Sequence, residues 1–200
     1  MIRKLIQKLF GMKDSSSGPA PSLPNSPSES TVSSDPAPTI KKSSRETKTT
    51  TPNKSSRSIK PEAILLHHSG GSYAGGVGWI KNPASKVSYH CLIARDGRRT
   101  VFGPDTSRMW HAGISNWKGR KDLNSWSIGV SFEGDTYVEP LSEDMIASAL
   151  EYIIPRMEKY GIKKSLVIDH RMVSGPRKND LNPKEYQKFM KALDKSLKWL

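Results

Sequence analysis

The chain has 200 residues, 34% of them hydrophobic, and a formal net charge of +13. Its one cysteine, Cys91, excludes an intramolecular disulfide and a CxxC zinc knuckle, and no stretch approaches the roughly 18 apolar residues of a membrane span. The charge excess is uneven, with 11 Lys/Arg against 4 Asp/Glu in residues 1–60 and 21 against 15 in residues 61–200. Such a chain is drawn to polyanions, and charge alone does not choose among nucleic acid, anionic lipid and cell-wall polymer.

In residues 1–12, Ile2, Leu5, Ile6, Leu9 and Phe10 recur at helical spacing, with Arg3, Lys4, Gln7 and Lys8 between them. This reads as a short amphipathic helix suited to an anionic surface, or as the frayed start of a tail. It lacks the uninterrupted apolar core of a secretory signal. Residues 13–60 are rich in Ser, Thr, Pro and Lys and poor in large apolar side chains. They read as a disordered linker, because such a composition buries too little surface to offset the entropy of ordering.

From residue 61 to residue 200 the texture is that of one α/β domain. "EAILLHHS" reads as a buried strand, followed by a glycine-rich turn and a short helix over Val77–Lys81. Val87–Arg95 and Thr100–Phe102 read as a hairpin turning at Asp96-Gly97. "SWSIGVSFEG" is a strand with Ile128, Val130 and Phe132 on one face. The next segment is a strong helix from a Ser142 cap to Gly161, with Pro155 expected to kink or divide it. "SLVIDH" is a strand ending on His170. A last helix starts at Asn182-Pro183 and carries Tyr186, Phe189, Met190, Leu193 and Leu197 on one stripe. The sum is a mixed α/β domain of roughly 140 residues.

Two predicted strands thus run into histidine, at His67 and at His170, and Asp180 follows ten residues after the second in a Gly- and Pro-containing loop. Period two sends His67 and His68 to opposite faces, so only one of them can share a site. Two imidazoles and a carboxylate suit Zn2+, and three protein ligands with a fourth position open is the pattern of catalytic zinc. Such a metal lowers the pKa of a water and polarises a carbonyl, which suits amide hydrolysis.

The words "ILLHHSG", "NPASKVSYHCLIARDG", "RMWHAG", "SWSIGVSFEG" and "DHRMVSGPRKND", in that order, resemble the zinc-dependent type 2 N-acetylmuramoyl-L-alanine amidases over about residues 61–190. The resemblance implies a central mixed β-sheet flanked by helices, with zinc in a surface groove and His67, His170 and Asp180 as its ligands, leaving His68 as a neighbour. It implies that Lys178 stabilises the developing oxyanion. Recycling members of the family carry a catalytic glutamate where this chain has Ser131. Phage-type members use a tyrosine that matches Tyr89, so Tyr89 is expected to orient the water, with Glu133 as the weaker candidate base. Trp110, His111, Ala112 and Asn116 are expected to bind substrate, His90 to be a hydrogen-bonded core residue, and Cys91, Trp79, Trp117 and Trp126 to pack.

The implied partner is peptidoglycan, cut between N-acetylmuramic acid and L-alanine. The basic N-terminus would touch anionic membrane or wall polymer, no specific nucleic acid is expected, and the domain reads as a monomer. With no signal peptide or transmembrane segment seen, the protein is expected in the cytoplasm of a producing or host cell, acting on the wall like a phage endolysin. The alternatives are a cytoplasmic muropeptide-recycling amidase and a non-catalytic peptidoglycan-binding protein.

Overall fold

The strand Ala63–His68 is buried on both faces and alternates between two packing environments. Ile64 and Leu66 enter the main core, Ala63 and Leu65 enter a smaller one, and His67 follows the second set. The computed structural model describes residues 45–198. The helix expected over residues 1–12 and the linker from 13 to 44 lie outside it.

In chain order the strands are β1 (Glu46–Lys48), β2 (Lys54–Ser58), β3 (Ala63–His68), β4 (Cys91–Ile93), β5 (Arg99–Val101), β6 (Ser107–Met109), β7 (Asn116–Trp117), β8 (Arg120–Lys121), β9 (Ser127–Phe132) and β10 (Val167–Asp169). The helices are α1 (Tyr73–Lys81), α2 (Glu143–Tyr160), α3 (His170–Ser174) and α4 (Pro183–Leu197). Six strands form one mixed sheet in the order β1-β5-β4-β9-β3-β10. Only β4 and β5 pair antiparallel within it. The register sets His67 beside Ser131 and Leu66 beside Asp169.

One face of the sheet is covered by α2 and α4. Ile128, Val130 and Phe132 of β9 meet Ile146, Leu150 and Ile153 of α2 and Phe189 and Leu193 of α4. Helix α2 is capped by Ser142 Oγ, which accepts from Met145 N–H at 3.1 Å, and is ended by Gly161 at φ +67°. Pro155 neither kinks off a separate segment nor ends the helix; it sits on the exposed side and α2 continues through it. On the other face, α1 packs Ile80 against Leu92, Phe102 and Met109. No helix among the described residues is long and apolar enough to cross a membrane.

Three expectations change. The domain begins at least as early as residue 45, because β1 pairs with β5 and β2 pairs with β6. The side chains of β2 are mostly exposed, so this segment is held by backbone pairing and by two buried polar residues rather than by an apolar stripe. Thr51 Oγ1 donates to Ile80 O at 2.6 Å, and Asn53 Nδ2 donates to the carbonyls of Ile80 and Asn82 at 3.0 and 2.8 Å, closing the end of α1. The strand expected over Val87–Arg95 shrinks to β4, because Ser88 bonds to Trp110 and to Asn53 instead of to a neighbouring strand. His170 is the first residue of α3 rather than the last of β10.

Asn53→Ala should remove one of the two side-chain donors to Ile80 O and the donor to Asn82 O, and lower stability by about 2 kcal/mol. Urea unfolding followed by circular dichroism will measure it, and a midpoint equal to that of the unmodified chain would contradict the anchoring role.

Candidate active site

The carboxyl ends of parallel strands in an α/β sheet commonly border the ligand crevice. Here β3 delivers His67, and the turn from β10 into α3 delivers His170. Asp169 makes that turn by capping α3, its Oδ1 accepting from Met172 N–H at 3.0 Å. The loop after α3 carries Asp180. It is pinned by Arg171 N–H, which donates to Asp180 O at 2.7 Å, by Leu181 buried in the core, and by Asn182 N–H, which donates to Thr136 Oγ1 at 2.9 Å.

These elements bring three ligand atoms to one point. His67 Nδ1 lies 3.1 Å from His170 Nδ1 and 3.2 Å from Asp180 Oδ2, and His170 Nδ1 lies 3.2 Å from the same oxygen. The far nitrogens fix the proton positions. His170 Nε2 faces Ala112 O at 3.0 Å, and a carbonyl only accepts, so Nε2 carries the proton. His111 Nε2 faces Ser127 O at 3.3 Å and carries its proton for the same reason. His111 Nδ1 is therefore an acceptor, and His67 Nε2, 3.1 Å away, donates to it. Both Nδ1 atoms of the cluster thus present lone pairs to each other and to a carboxylate.

Burial and the neighbouring His170 push His67 down to about 4, so no added proton relieves the crowding near neutral pH. Asp180 is a carboxylate near neutral pH, as an ordinary carboxyl is. Three acceptors in contact need a cation. A four-coordinate zinc ion with bonds of about 2.0–2.1 Å sets its ligand atoms about 3.3 Å apart, close to the spacing found. The residues present therefore fit the metal.

The cluster opens into a groove of about 770 Å³. Tyr89, Trp110, Ala112 and Lys178 line it. The Tyr89 ring sits 5.0 Å from that of His67. Burial and the Asp180 charge raise the Tyr89 phenol well above its usual range, so it stays protonated and serves as a donor. Ser131 Oγ, fully buried on the strand beside His67, has no well-aligned partner among the described residues.

Two expected site residues, Glu133 and Asn116, fall outside the groove. Glu133 spends both carboxylate oxygens on backbone amides, those of Tyr73 and Arg95, each at 2.8 Å, and does not line the groove. Asn116 is exposed on the β7–β8 hairpin, where its Oδ1 accepts from Gly119 N–H at 2.8 Å. His111 touches the groove edge but is 5% exposed, with both ring nitrogens committed behind His67. His90 is fully buried between Ser107 O and Gly129 N–H.

Sequence reading passed over Asn124 and Arg177, and gave His68 no role beyond that of a neighbour. Asn124 Oδ1 accepts the backbone N–H groups of both His111 and Ala112, at 3.0 and 2.8 Å. Arg177 Nη2 donates to the carbonyls of Ala112 and Ile114 at 3.1 and 2.7 Å. His68 lines the groove and accepts at Nδ1 from Thr136 N–H at 3.2 Å. Lys86, Arg177 and Lys178 give the rim three positive charges, while Asp180 is the one acid on the lining among the described residues.

Residues 57–184 match the family model described as N-acetylmuramoyl-L-alanine amidase. The chain is 38% identical over 96 residues to the 1,6-anhydro-N-acetylmuramyl-L-alanine amidase AmpD of Haemophilus influenzae, covering 48% of this chain and 52% of that protein. It thus spans about half the length of the curated relatives it matches. Among solved structures, a selenomethionine derivative of AmpD superposes with a TM-score of 0.62 at 22% identity, covering 75% of this chain and 94% of that one. A mutant endolysin from Bacillus subtilis gives 0.60 at 22%, covering 74% and 97%. Both share the fold.

Buried neutral histidines make a pH prediction. His90 is pushed down to about 4 by burial, as is His67. Unfolded histidine takes up its proton near pH 6.5, so the unfolded chain binds more protons between about 6.5 and 4. The metal-stripped protein should hold its full stability above this window and lose it as pH falls through it. Urea midpoints at pH 7.5 and 5.0 will test the sign, and equal midpoints would refute it.

Proposed function

The chain belongs to the N-acetylmuramoyl-L-alanine amidase family, and from that premise we propose that it is a zinc-dependent hydrolase of the amide between N-acetylmuramic acid and L-alanine in peptidoglycan or its fragments. The observation that carries this reading is the trio of converging lone pairs on His67, His170 and Asp180 at the floor of an open groove. No fourth His, Cys, Asp or Glu joins the trio among the described residues, which leaves the fourth position for a reactant.

Zinc bound there would polarise the scissile carbonyl and acidify a water. The chain's own residues supply the rest. Lys178, on the groove lining two residues before Asp180, brings an ammonium to the oxygen on which negative charge develops. Tyr89, held protonated, donates a hydrogen bond that orients the reacting groups above His67. Glu133 takes no part in the proton transfer, since its oxygens already hold two backbone amides. Trp110 offers an aromatic face to sugar or peptide. The positive rim of Lys86, Arg177 and Lys178 favours stem peptides rich in carboxylates.

On setting, the relatives shift the balance away from the lytic enzyme expected from the sequence. Relatives from Haemophilus influenzae, Citrobacter freundii and Escherichia coli are 1,6-anhydro-N-acetylmuramyl-L-alanine amidases. We therefore place soluble muropeptides ahead of intact wall as the preferred substrate. One feature favours the wall-lytic reading: Ser131 stands where the recycling branch has its glutamate, and Tyr89 supplies the phenol of the phage-type branch.

The test is release of L-alanine N-termini from a soluble 1,6-anhydro-muropeptide and from purified sacculi, before chelation, after it, and with zinc returned. Release that vanishes with chelator and returns with zinc is expected, faster on the soluble fragment. Faster cleavage of sacculi would favour the lytic reading, and wall binding without release from either substrate would sink the enzyme. Tyr89→Phe should lower kcat by about 10- to 100-fold with KM little changed; an unchanged kcat would remove Tyr89 from the mechanism.

A further inference from the structure

We infer that the turn Trp110–Ala112 is a single brace that sets both histidine ligands, with His111 acting as a positioning residue for His67 and not as a contact for substrate. The inference rests on the zinc reading above for the identity of the metal, while the brace itself is read from the protein's own hydrogen bonds.

Two adjacent residues of this turn reach the two ligating imidazoles from behind. The His111 side chain takes the Nε2 proton of His67 at 3.1 Å, and the next residue, Ala112, takes the Nε2 proton of His170 at 3.0 Å through its carbonyl. Each ligand is thereby locked in the tautomer that leaves Nδ1 unprotonated and aimed at the cluster. The bracing groups are themselves held. His111 passes its own Nε2 proton to Ser127 O, and Asn124 Oδ1 grips the backbone N–H groups of His111 and Ala112 together.

The neighbouring strand is shaped for this ring. A Cβ on Gly129 would lie 2.5 Å from His111 Cγ and 2.7 Å from Nδ1, so the imidazole rests directly on bare backbone of β9. Only glycine permits that approach. The His67 and His111 rings stand nearly at right angles, at 83°, with His67 Nε2 and His111 Nδ1 as their atoms in hydrogen-bond contact at 3.1 Å. Both His111 nitrogens are thereby occupied, and neither is left to offer a substrate.

A brace of this kind predicts effects on metal affinity that depend on the acceptor and not on the volume. His111→Phe keeps the ring but removes the acceptor, and should weaken zinc binding by about 10- to 100-fold. His111→Asn restores an acceptor near the position of Nδ1 and should stay within about threefold of the unmodified chain. Zinc affinity of the full chain would be measured by competition with a chromogenic chelator, beside urea midpoints. Equal zinc affinity in the Phe variant and the unmodified chain would overturn the inference, as would equal losses in the Phe and Asn variants. A second measurement needs no variant: long-range 1H–15N spectra of the metal-free protein should show His67, His111 and His170 all protonated at Nε2, and a His67 protonated at Nδ1 would overturn the brace. If the unmodified chain binds no zinc while these tautomers are seen, the metal reading fails and the brace stands.

Discussion

Three hydrogen-bond acceptors held in contact with no proton among them dominate the architecture of this protein. Left alone, the two Nδ1 lone pairs and the Asp180 carboxylate repel one another, so the fold has to hold them there by other means. It does so by spending the opposite edge of each imidazole on a fixed acceptor and by tying the Asp180 loop down through Arg171, Leu181 and Asn182. The main core behind β3 and β9 then resists the outward push, because rigid sheet register and close packing do not yield to one local conflict. Metal binding would relieve a conflict that the fold has assembled in advance.

The sheet explains why so few residues are needed. Period two in β3 sends Leu65 and His67 to one side and Leu66 and His68 to the other. In β9 the same period leaves Ser127, Gly129 and Ser131 opposite the apolar set Ile128, Val130 and Phe132. That row of small residues is what allows a side chain as large as His111 to lie flat on the sheet and still reach His67. Glu133, two residues beyond, belongs to a different job: it joins the start of α1 to the turn after β4, and so fixes one wall of the groove.

Much of this was legible before any coordinates. The alternation of β3 and β9, the caps of α2 and α4, and the sequence of apolar words gave the fold class, because each is a local signal with a short period. The trio of His67, His170 and Asp180 was readable as types and spacings, and as a family resemblance. The pieces that escaped are those whose meaning is set by tertiary neighbours. Thr51 and Asn53 look like linker residues until the end of α1 arrives beside them. Asn124 looks like one more turn asparagine until two amides from another loop converge on its oxygen. His111 carried the right signal, a histidine beside the groove, but sequence shows proximity and not the direction of a ring nitrogen. The bare face at Gly129 was the one available clue that something large lies against β9.

The strand β1 runs parallel to β5, and β5 runs antiparallel to β4, so β1 enters the sheet at the end where β3 and β10 release their ligands. Four strand spacings separate β1 from β3, a lateral offset of about 20 Å. The first described residue, Arg45, therefore stands on the rim that also carries the cleft, and not on the helix-covered face behind it.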